Sequence, residues 1–249
     1  MSVSAVAVLG LVLACAAMPS AWLAFDAPAN SSQRRLRVVA LALLALFTAG
    51  FLSVALGIAE YVDLRLGPVS REALGILYPL CILGKWCGHP VTLGLLALAL
   101  AAWLWQGGRT RRALALLAAV GGEFATCAII KISVGRARPP GNLDRATDAA
   151  FPSGHASNSV LLFGVLLVLL AGSRRFARFR GLLSAAYVVA FTLIGASRIV
   201  LRAHAGLDVL SGYAWGAYWL ALLVMSWNGA WCRAETSGPP EGEETDAIA

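Results

Sequence analysis

The fold is decided by residues 187–225, YVVAFTLIGASRIVLRAHAGLDVLSGYAWGAYWLALLVM. Two apolar runs enclose the charged stretch SRIVLRAHAGLD at 197–208, in which twelve residues carry two arginines, a histidine and an aspartate. Ionisable groups beside or inside a membrane-type segment cost free energy, so by default they indicate function. The stretch therefore predicts two membrane helices joined by a functional turn.

The composition of the whole chain is typical of an integral membrane protein. Its 249 residues are 59% hydrophobic and 13% charged, whereas soluble domains carry about 25% charged residues. So few charges cannot cover a water-facing surface. The net charge of +7 fits arginines in cytoplasmic loops, with anionic lipid or substrate as a second use, and it requires no nucleic-acid partner.

Apolar runs of about 20 residues, the length that spans a bilayer as a helix, recur between short polar breaks. They predict an all-α, polytopic membrane bundle. Between the second and third runs, a weak alternation over Val69 to Leu83 predicts a helix on the membrane surface or partly re-entrant. An additional buried span is disfavoured there because Pro79 and Gly84 interrupt it. The predicted spans are 3–25, 36–59, 90–106, 113–134, 155–172, 182–201 and 207–230.

Three arginine-dense breaks set the orientation: QRRLR (33–37), GGRTRR (107–112) and GSRRFARFR (172–180). Under the positive-inside rule these breaks face the cytoplasm. The outer side then carries the segments 60–90, 135–154 and 202–207.

Three regions follow from this organisation: a hydrophobic segment 1–35, a membrane domain 36–231 and a tail 232–249. The first segment lacks a positive flank, which argues against an ordinary secretory signal. It fits an additional helix, with a cleaved leader as the alternative. The tail is rich in Pro, Gly and Glu and is expected to be disordered.

Two pieces of the outer side suit the binding of a phosphate. PSGH begins the fifth span, and free backbone N–H groups at a helix N-terminus bind anions. Ser153 caps that helix, and Gly154 removes a Cβ that would obstruct close approach. Lys131, Arg138 and Arg198 converge on the same face, where they could clamp the equatorial oxygens of a transferring phosphoryl group.

The third piece supplies candidates for the chemistry. His204 and Asp208 are spaced i, i+4, so that on a helix the carboxylate can hydrogen-bond one imidazole nitrogen and leave the other free to attack. His155 is then available to protonate the departing oxygen. Two histidines and an aspartate could instead bind zinc, but three nearby cations would oppose a divalent metal.

Cysteine and carboxylate patterns offer no alternative site. A cysteine-based phosphatase would need a cysteine in these loops, and none is present. No cluster of carboxylates suits magnesium. Cys81 and Cys87 are expected to be free thiols, with a disulfide as the less favoured reading. We therefore expect no metal and no cofactor.

The motifs resemble a known family. Lys131 to Pro139 reads K-x6-RP, residues 152–155 read PSGH, and 197–208 reads SR-x5-H-x3-D. In order and spacing they are similar to the three signature motifs of the type 2 phosphatidic acid phosphatase superfamily, over roughly 36–230. The resemblance implies a six-helix membrane bundle with its site at the outer face. Residues 1–25 are an addition to that pattern.

The resemblance also implies a role for each matching residue. His204 would be the nucleophile and form a phosphohistidine, Asp208 would orient it, and His155 would act as general acid and then as base for water. Soluble haloperoxidases are similar in these motifs, with vanadate in place of phosphate, but six or more spans argue against that branch. The phosphate ligands would be Lys131, Arg138, Ser153, Gly154 and Arg198.

Other polar residues near these motifs are less defined. Arg136 and Arg202 are candidates for a headgroup contact. Glu123 falls near the middle of the membrane, where a buried polar contact between helices is favoured over a proton or substrate role. Four further polar residues are expected to lie in the outer loop with their side chains in water, and contact with a second phosphate or a headgroup is the alternative: Asn142, Asp144, Arg145 and Asp148.

The sequence thus predicts a membrane phosphatase for an amphiphilic phosphate that enters from the bilayer between helices. A phosphotransferase using the same phosphohistidine stays open, as does a non-catalytic lipid-binding or transport protein. The preference for arginine over lysine suggests a GC-rich bacterium, hence the inner membrane with the site facing the periplasm or exterior. The oligomeric state is not predicted. Candidate substrates are undecaprenyl diphosphate, phosphatidylglycerophosphate, phosphatidic acid and the lipid A phosphates.

Overall fold

The computed structural model describes residues 31–63 and 70–229, and all regular structure in those ranges is helical. The predicted all-α fold is therefore confirmed. The predicted helix at 3–25 and the predicted tail at 232–249 lie outside the described residues. The helices are α1 (Ser31–Ala55), α2 (Ala59–Val62), α3 (Arg71–Leu74), α4 (Leu77–Cys87), α5 (Pro90–Gln106), α6 (Thr110–Val134), α7 (Gly154–Gly172), α8 (Arg180–Val200) and α9 (Gly206–Trp227), with a 3₁₀ helix (Arg174–Phe179) before α8.

Five of these helices, α1, α6, α7, α8 and α9, are long and apolar enough to cross a membrane. The 17 residues of α5 fall short of the roughly 20 that a span needs. However, α4 and α5 together form a bent pair with an angle of 44° between them. Counted as one span, the pair brings the total within the described ranges to six, the number predicted for 36–230. The chain is an integral, multi-pass membrane protein.

The interruptions that we expected at Pro79 and Gly84 do not occur, whereas the next helix covers 90–106 as predicted. Helix α4 runs through both Pro79 and Gly84, because a proline in the first turn of a helix loses no intrahelical hydrogen bond. The interruption comes instead at His89, which is extended (φ −65°, ψ 136°) and is followed by Pro90 at the start of α5. A proline disfavours helical geometry in the residue before it.

Helix α9 lies at the centre of the bundle and packs against α1, α6 and α7. Its contact with α7 depends on two glycines one turn apart. A Cβ added at Gly212 would lie 2.5 Å from the carbonyl oxygen of Ser153, and one added at Gly216 would overlap the carbonyl oxygen of Ser157. Small residues at this spacing let helix backbones approach closely. The first turn of α7 is thereby held against the first turns of α9.

The antiparallel topology gives the two ends of the bundle different chemistry. The end of α6, the start of α7, the end of α8 and the start of α9 meet at one end, together with the α4–α5 break. The arginine-dense breaks at 33–37, 107–112 and 172–180 adjoin the other ends of these helices. Three sequence motifs far apart in the chain are therefore brought to one end.

Candidate active site

A cleft of about 280 Å³ opens at the motif-bearing end of the bundle. All three histidines of the chain, His89, His155 and His204, line the cleft, and so do both of its lysines, Lys85 and Lys131. Titratable side chains from several helices thus converge on one small volume. The other lining residues are Pro90, Arg138, Asp144, Ala146, Asp148 and Gly154.

Asp208 lies in the first turn of α9, whereas His204 lies just before that helix, so the two residues are not on one helix as we expected. Both are buried, His204 at 3% and Asp208 at 0% exposure. The Oδ2 atom of Asp208 accepts a hydrogen bond of 2.9 Å from the backbone N–H of Ala205, the N-cap residue. This contact supports the first turn of the helix and fixes the carboxylate. His204 Nδ1 is 3.7 Å from the same oxygen. That distance is too long for a hydrogen bond but close enough to stabilise a positive charge on the ring.

Behind Asp208 lies a buried ion-pair network. Arg136 Nη1 donates to Asp208 Oδ1 at 2.5 Å, and Arg136 Nη2 donates to Asp63 Oδ2 at 2.8 Å. Asp63 Oδ1 in turn accepts from the backbone N–H of Leu207 at 2.7 Å. Arg136 is 8% exposed and does not line the cleft. The headgroup contact that we expected for Arg136 does not fit this placement, because its guanidinium is committed to the two aspartates.

The Nε2 atom of His204, on the opposite edge of the ring from Nδ1, points toward Arg138. Arg138 Nη1 lies 3.2 Å from His204 Nε2 and also donates to the carbonyl oxygen of Ala203 at 2.5 Å. Because a guanidinium only donates, this contact favours the tautomer with an unprotonated Nε2 and the proton on Nδ1, toward Asp208. Burial lowers the pKa of His204 to about 4, and the charges of Arg138 and Lys131 lower it too, against the opposing effect of Asp208.

The start of α7 presents free polar atoms beside His204. Ser153 is the N-cap residue, and its backbone N–H donates to the carbonyl oxygen of Asp208 at 3.0 Å. Its side chain makes no capping hydrogen bond. Ser153 Oγ and His155 Nε2 are buried without a hydrogen-bond partner in the part of the chain that the structure describes. Buried polar atoms usually have partners, and a bound oxyanion would supply them.

Two carboxylates of the loop between α6 and α7 pair with four cations, of which Lys85, Lys131 and Arg138 line the cleft and Arg198 does not. Lys131 Nζ and Arg138 Nη2 contact Asp148 at 2.9 and 2.6 Å. Lys85 Nζ and Arg198 Nη2 contact Asp144 at 2.6 and 2.5 Å. Burial alone would raise the pKa of the Asp148 carboxyl. The combined effect of Lys131 and Arg138 outweighs burial and lowers this pKa to about 2. Both aspartates are therefore ionised at neutral pH and neutralise the cations.

The site contains residues that sequence reasoning missed. Lys85 and His89 were not assigned a role, although a lysine inside the apolar stretch CILGKWC satisfies the same criterion that singled out 197–208. Asp63 carries no local signal, since it follows the predicted span 36–59 as an ordinary loop carboxylate would. Arg202 is buried at 8% exposure, has a positive φ of 54° and does not line the cleft. Its headgroup contact stays a prediction.

Glu123 lies in α6, two turns before Lys131, and is fully buried. Its Oε1 accepts a hydrogen bond from the hydroxyl of Ser157 on α7. This is the polar contact between helices that the sequence favoured. Cys81 and Cys87 are free thiols. Within residues 31–63 and 70–229, no group of three or more His, Cys, Asp and Glu side chains is arranged to hold a metal ion.

Comparison with known proteins agrees with this fold. A family model described as the PAP2 superfamily matches residues 112–231. Among solved structures, the chain is similar to the crystal structure of the first transmembrane PAP2 type phosphatidylglycerolphosphate phosphatase from Bacillus subtilis. The TM-score is 0.54 and the identity 20%, over 89% of this chain and 94% of that chain, which shows a shared fold. No curated protein matches the chain.

Proposed function

Through residues 112–231 the chain belongs to the PAP2 superfamily, and from this premise we propose that it is a membrane lipid phosphatase acting through a phosphohistidine. The observation that carries the proposal is the convergence of three distant motifs on one cleft. His204 Nε2 faces Arg138 at 3.2 Å. The start of α7 contributes Gly154 and His155 to the cleft, and Ser153 is the buried N-cap residue of that helix. A nucleophile, an oriented carboxylate and anion-binding groups are the parts that phosphoryl transfer needs.

In the first step, the lone pair of His204 Nε2 attacks phosphorus and the bond from phosphorus to the lipid oxygen breaks. The departing oxygen takes a proton from the imidazolium of His155. Asp208 stabilises the positive charge that develops on the His204 ring, 3.7 Å away, and Arg136 holds Asp208 in place. The products of this step are the lipid alcohol and phosphohistidine.

In the second step, water attacks the phosphorus of the phosphohistidine while the now neutral His155 accepts the proton of the water. The bond between nitrogen and phosphorus breaks, and its electrons return to His204 Nε2. Phosphate leaves, and both histidines recover their starting states. Lys131, Arg138 and Arg198, with the N–H groups at the start of α7, would stabilise the charge on the equatorial oxygens in both steps.

An apolar cavity supports a lipid as substrate. A space of about 360 Å³ lies between α8 and α9, and its walls include Ala196, Ile199, Leu207 and Leu210. Asp63 also lines this cavity, and it joins the ion-pair network behind Asp208. An acyl or prenyl tail could occupy this space while its phosphate reaches the cleft.

The proposed setting is a bacterial inner membrane, with the cleft facing the periplasm or exterior. The positive-inside rule supports this side, because the arginine-dense breaks lie at the opposite ends of the helices. The candidate substrates are undecaprenyl diphosphate, phosphatidylglycerophosphate, phosphatidic acid and the lipid A phosphates.

The test is phosphate release from these lipids by the purified protein in detergent with EDTA. We expect turnover to persist in EDTA and to fall by about 10³-fold or more in His204→Ala, because the covalent route needs the nucleophile. Gln106→Ala, an exposed change at the opposite end of the bundle, serves as the control. Turnover that needs a metal, or that survives without His204, would refute the mechanism.

A further inference from the structure

A large cavity lies at the arginine-bearing end of the bundle, opposite the cleft of the candidate active site. We call it the arginine cavity, because Arg109 and Arg112 are among the residues that line it. Its volume is about 740 Å³, and its walls come from α5, the start of α6, the second half of α7, the 3₁₀ helix and the end of α9. Ligand sites in proteins commonly occupy about 300 to 1,000 Å³. The arginine cavity therefore has the size of a ligand site, and it shares no lining residue with the cleft.

The polar part of the arginine cavity is positively charged. Arg109 is the N-cap residue of α6, and its guanidinium carbon lies 6.0 Å from the centre of the Trp103 ring, within the range of a cation–π contact. Arg112 lies in the first turn of α6, and its Nε atom is buried without a hydrogen-bond partner among the described residues. Of the residues that the structure describes, no Asp or Glu lines the cavity. Its described walls thus offer two positive charges and no carboxylate to neutralise them.

The rest of the arginine cavity is apolar and extends into the membrane-spanning part of the bundle. Leu100 lines it from α5, and Leu166 and Leu169 line it from α7. Ser173, the C-cap residue of α7, also lines it and lies seven residues after Leu166. Seven residues of an α-helix span about 10 Å. An apolar chain that starts near the arginines therefore has room to run about that far along α7.

The ends of neighbouring helices do not cancel the charges of the two arginines. Helices α5, α7 and α9 end beside the cavity, and a helix C-terminus carries about half a unit of negative charge, whose effect falls off within the last turn. The carbonyl oxygen of Ala171, near the end of α7, already accepts a hydrogen bond of 2.8 Å from Arg180 Nε. Helix α6 begins at the cavity, so its positive end adds to the arginines. The cavity therefore favours an anion.

One wall of the arginine cavity is fixed by a contact between two helix ends. Trp227, the last residue of α9, is 4% exposed and lines the cavity. Its Nε1 atom donates a hydrogen bond of 3.1 Å to the carbonyl oxygen of Arg112. This contact joins the end of α9 to the first turn of α6, so the walls around Arg112 are in place before a ligand binds.

These features fit a phospholipid with a net negative charge. Its phosphodiester would pair with Arg109 and Arg112, and an acyl chain would fill the part lined by leucines. Basic pockets between membrane helices bind the headgroups of anionic lipids in this way. A zwitterionic phospholipid also brings an ammonium group, for which the described walls supply no carboxylate. The Trp103 ring, which could otherwise receive an ammonium group, is already in contact with Arg109.

We propose that the arginine cavity is a second lipid site, which binds one anionic phospholipid from the leaflet at this end of the bundle. This site is separate from the phosphatase chemistry, because it lies at the other end of the helices and its ligand undergoes no reaction there. Binding is therefore measurable without any turnover.

The chain itself contains a competing source of negative charge. Residues 235–246, ETSGPPEGEETD, carry five carboxylates. The same residues include no Leu, Ile, Val, Met or aromatic side chain, so this segment offers nothing to fill the leucine-lined part of the cavity. A phospholipid matches both the charged and the apolar part, which is why we commit to it.

The experiment measures lipid binding to the delipidated, full-length protein in detergent by native mass spectrometry. The probes are phosphatidylglycerol and phosphatidylcholine with identical acyl chains, and glycerol 3-phosphate as a phosphate without a tail. We define the lipid preference as the Kd for phosphatidylcholine divided by the Kd for phosphatidylglycerol. The test variant combines Arg109→Met with Arg112→Met. The matched control combines Arg34→Met with Arg35→Met, two exposed arginines at the same end of the bundle that do not line the cavity.

We expect the wild-type protein to prefer phosphatidylglycerol at least tenfold and to bind no glycerol 3-phosphate at the same concentration. The test variant should lose at least four fifths of that preference, whereas the control variant should retain it. Replacing both cavity arginines by lysine should keep most of the preference, because the charges remain. Leu166→Trp, which fills the apolar part, should raise the Kd for phosphatidylglycerol at least fivefold. A monodisperse peak in gel filtration shows that each variant is folded.

Several results would overturn this inference: a wild-type preference near one, a preference that survives in the test variant, or an equal loss in the control variant. Binding of glycerol 3-phosphate as tight as that of the lipid would indicate a site for soluble anions instead. Phosphatidylglycerol binding that appears only after the five carboxylates of 235–246 are changed to amides would assign the cavity to that segment. None of these readouts depends on phosphate release, so a failure of the proposed function is observed separately.

Discussion

The role proposed for His204 requires a ring that stays neutral at physiological pH. Burial is the largest cause that lowers its pKa to about 4, because a charged imidazole loses its hydration in the closed site. A lowered pKa suits a nucleophile, because the His204 ring is then neutral at any pH well above 4 and its Nε2 lone pair is available. An unperturbed histidine would be half protonated near pH 6.5.

This difference is measurable, because the chain has only three histidines. In ¹⁵N spectra of histidine-labelled protein, we expect the resonance lost in His204→Gln to titrate near pH 4, with circular dichroism as the check that the protein stays folded. In kcat/KM, the limb due to protonation of the free enzyme's nucleophile should lie in the same range. A midpoint for His204 at or above 6.5 would contradict the burial argument.

Arg136 is the positioning residue for Asp208. Its two short contacts, 2.5 Å to Asp208 and 2.8 Å to Asp63, hold a carboxylate that is otherwise fully buried. A buried charge that loses its partner is strongly destabilised. Without Arg136, Asp208 would rotate away or take up a proton, and the charge on the phosphorylated ring would lose its counterion.

We therefore expect Arg136→Met to lower kcat by about tenfold or more with a smaller change in KM, because Arg136 does not line the cleft. Arg136→Lys should recover part of the loss, since it keeps the charge but not the two-pronged geometry. Arg145→Met, an exposed arginine of the same loop, is the control. An effect on KM alone would instead indicate a headgroup contact.

Most residues of the candidate site could be predicted from the sequence, and the exceptions have a common physical cause. Lys131, Arg138, His155, His204 and Asp208 stand in motifs of fixed spacing, so a local pattern identifies them. Asp63 and Lys85 reach the site only through packing. Asp63 accepts a hydrogen bond from Arg136, which is 73 positions away in the chain. Lys85 of α4 forms an ion pair with Asp144 of the loop between α6 and α7. A single sequence contains no local pattern that identifies such partners, although a lysine inside an apolar stretch marks position 85 as a candidate.

At the scale of elements, apolar length identified the spans, and their bounds differ from the predictions by a few residues. The span predicted at 36–59 is observed as α1, Ser31–Ala55. The α4–α5 region was predicted least well. Composition marked Gly84 as an interruption, yet this glycine lies where α4 packs on α8. A Cβ added there would come within 3.0 Å of Ser197 Oγ.

That packing has a consequence for the site. Lys85 follows Gly84 directly, so the close contact of α4 with α8 brings Lys85 toward Arg198, one residue beyond Ser197. Similarly, Gly212 and Gly216 hold the start of α7 against the start of α9. Glycines that look like helix breakers in the sequence are here the contact points that assemble the cleft.

At the scale of the whole molecule, the separation of charges between the two ends predicts its orientation. We expect a membrane-impermeant maleimide to label Cys87, which is exposed near the cleft, in intact cells when the other four cysteines are replaced by serine. A cysteine introduced by Gln106→Cys, at the arginine-bearing end, should be labelled only after the membrane is permeabilised. The opposite pattern would place the cleft in the cytoplasm.

The paired charges of the cleft also bear on which anions it admits. A phosphate ion dissolved in the medium must displace Asp144 or Asp148. Both are tethered to the cleft by their own loop and so compete at a high effective concentration. We expect a lipid phosphate to overcome that competition, because its tail confines it to the same membrane and so raises its local concentration. We therefore expect the two loop aspartates to favour the binding of membrane-anchored phosphates over that of free phosphate.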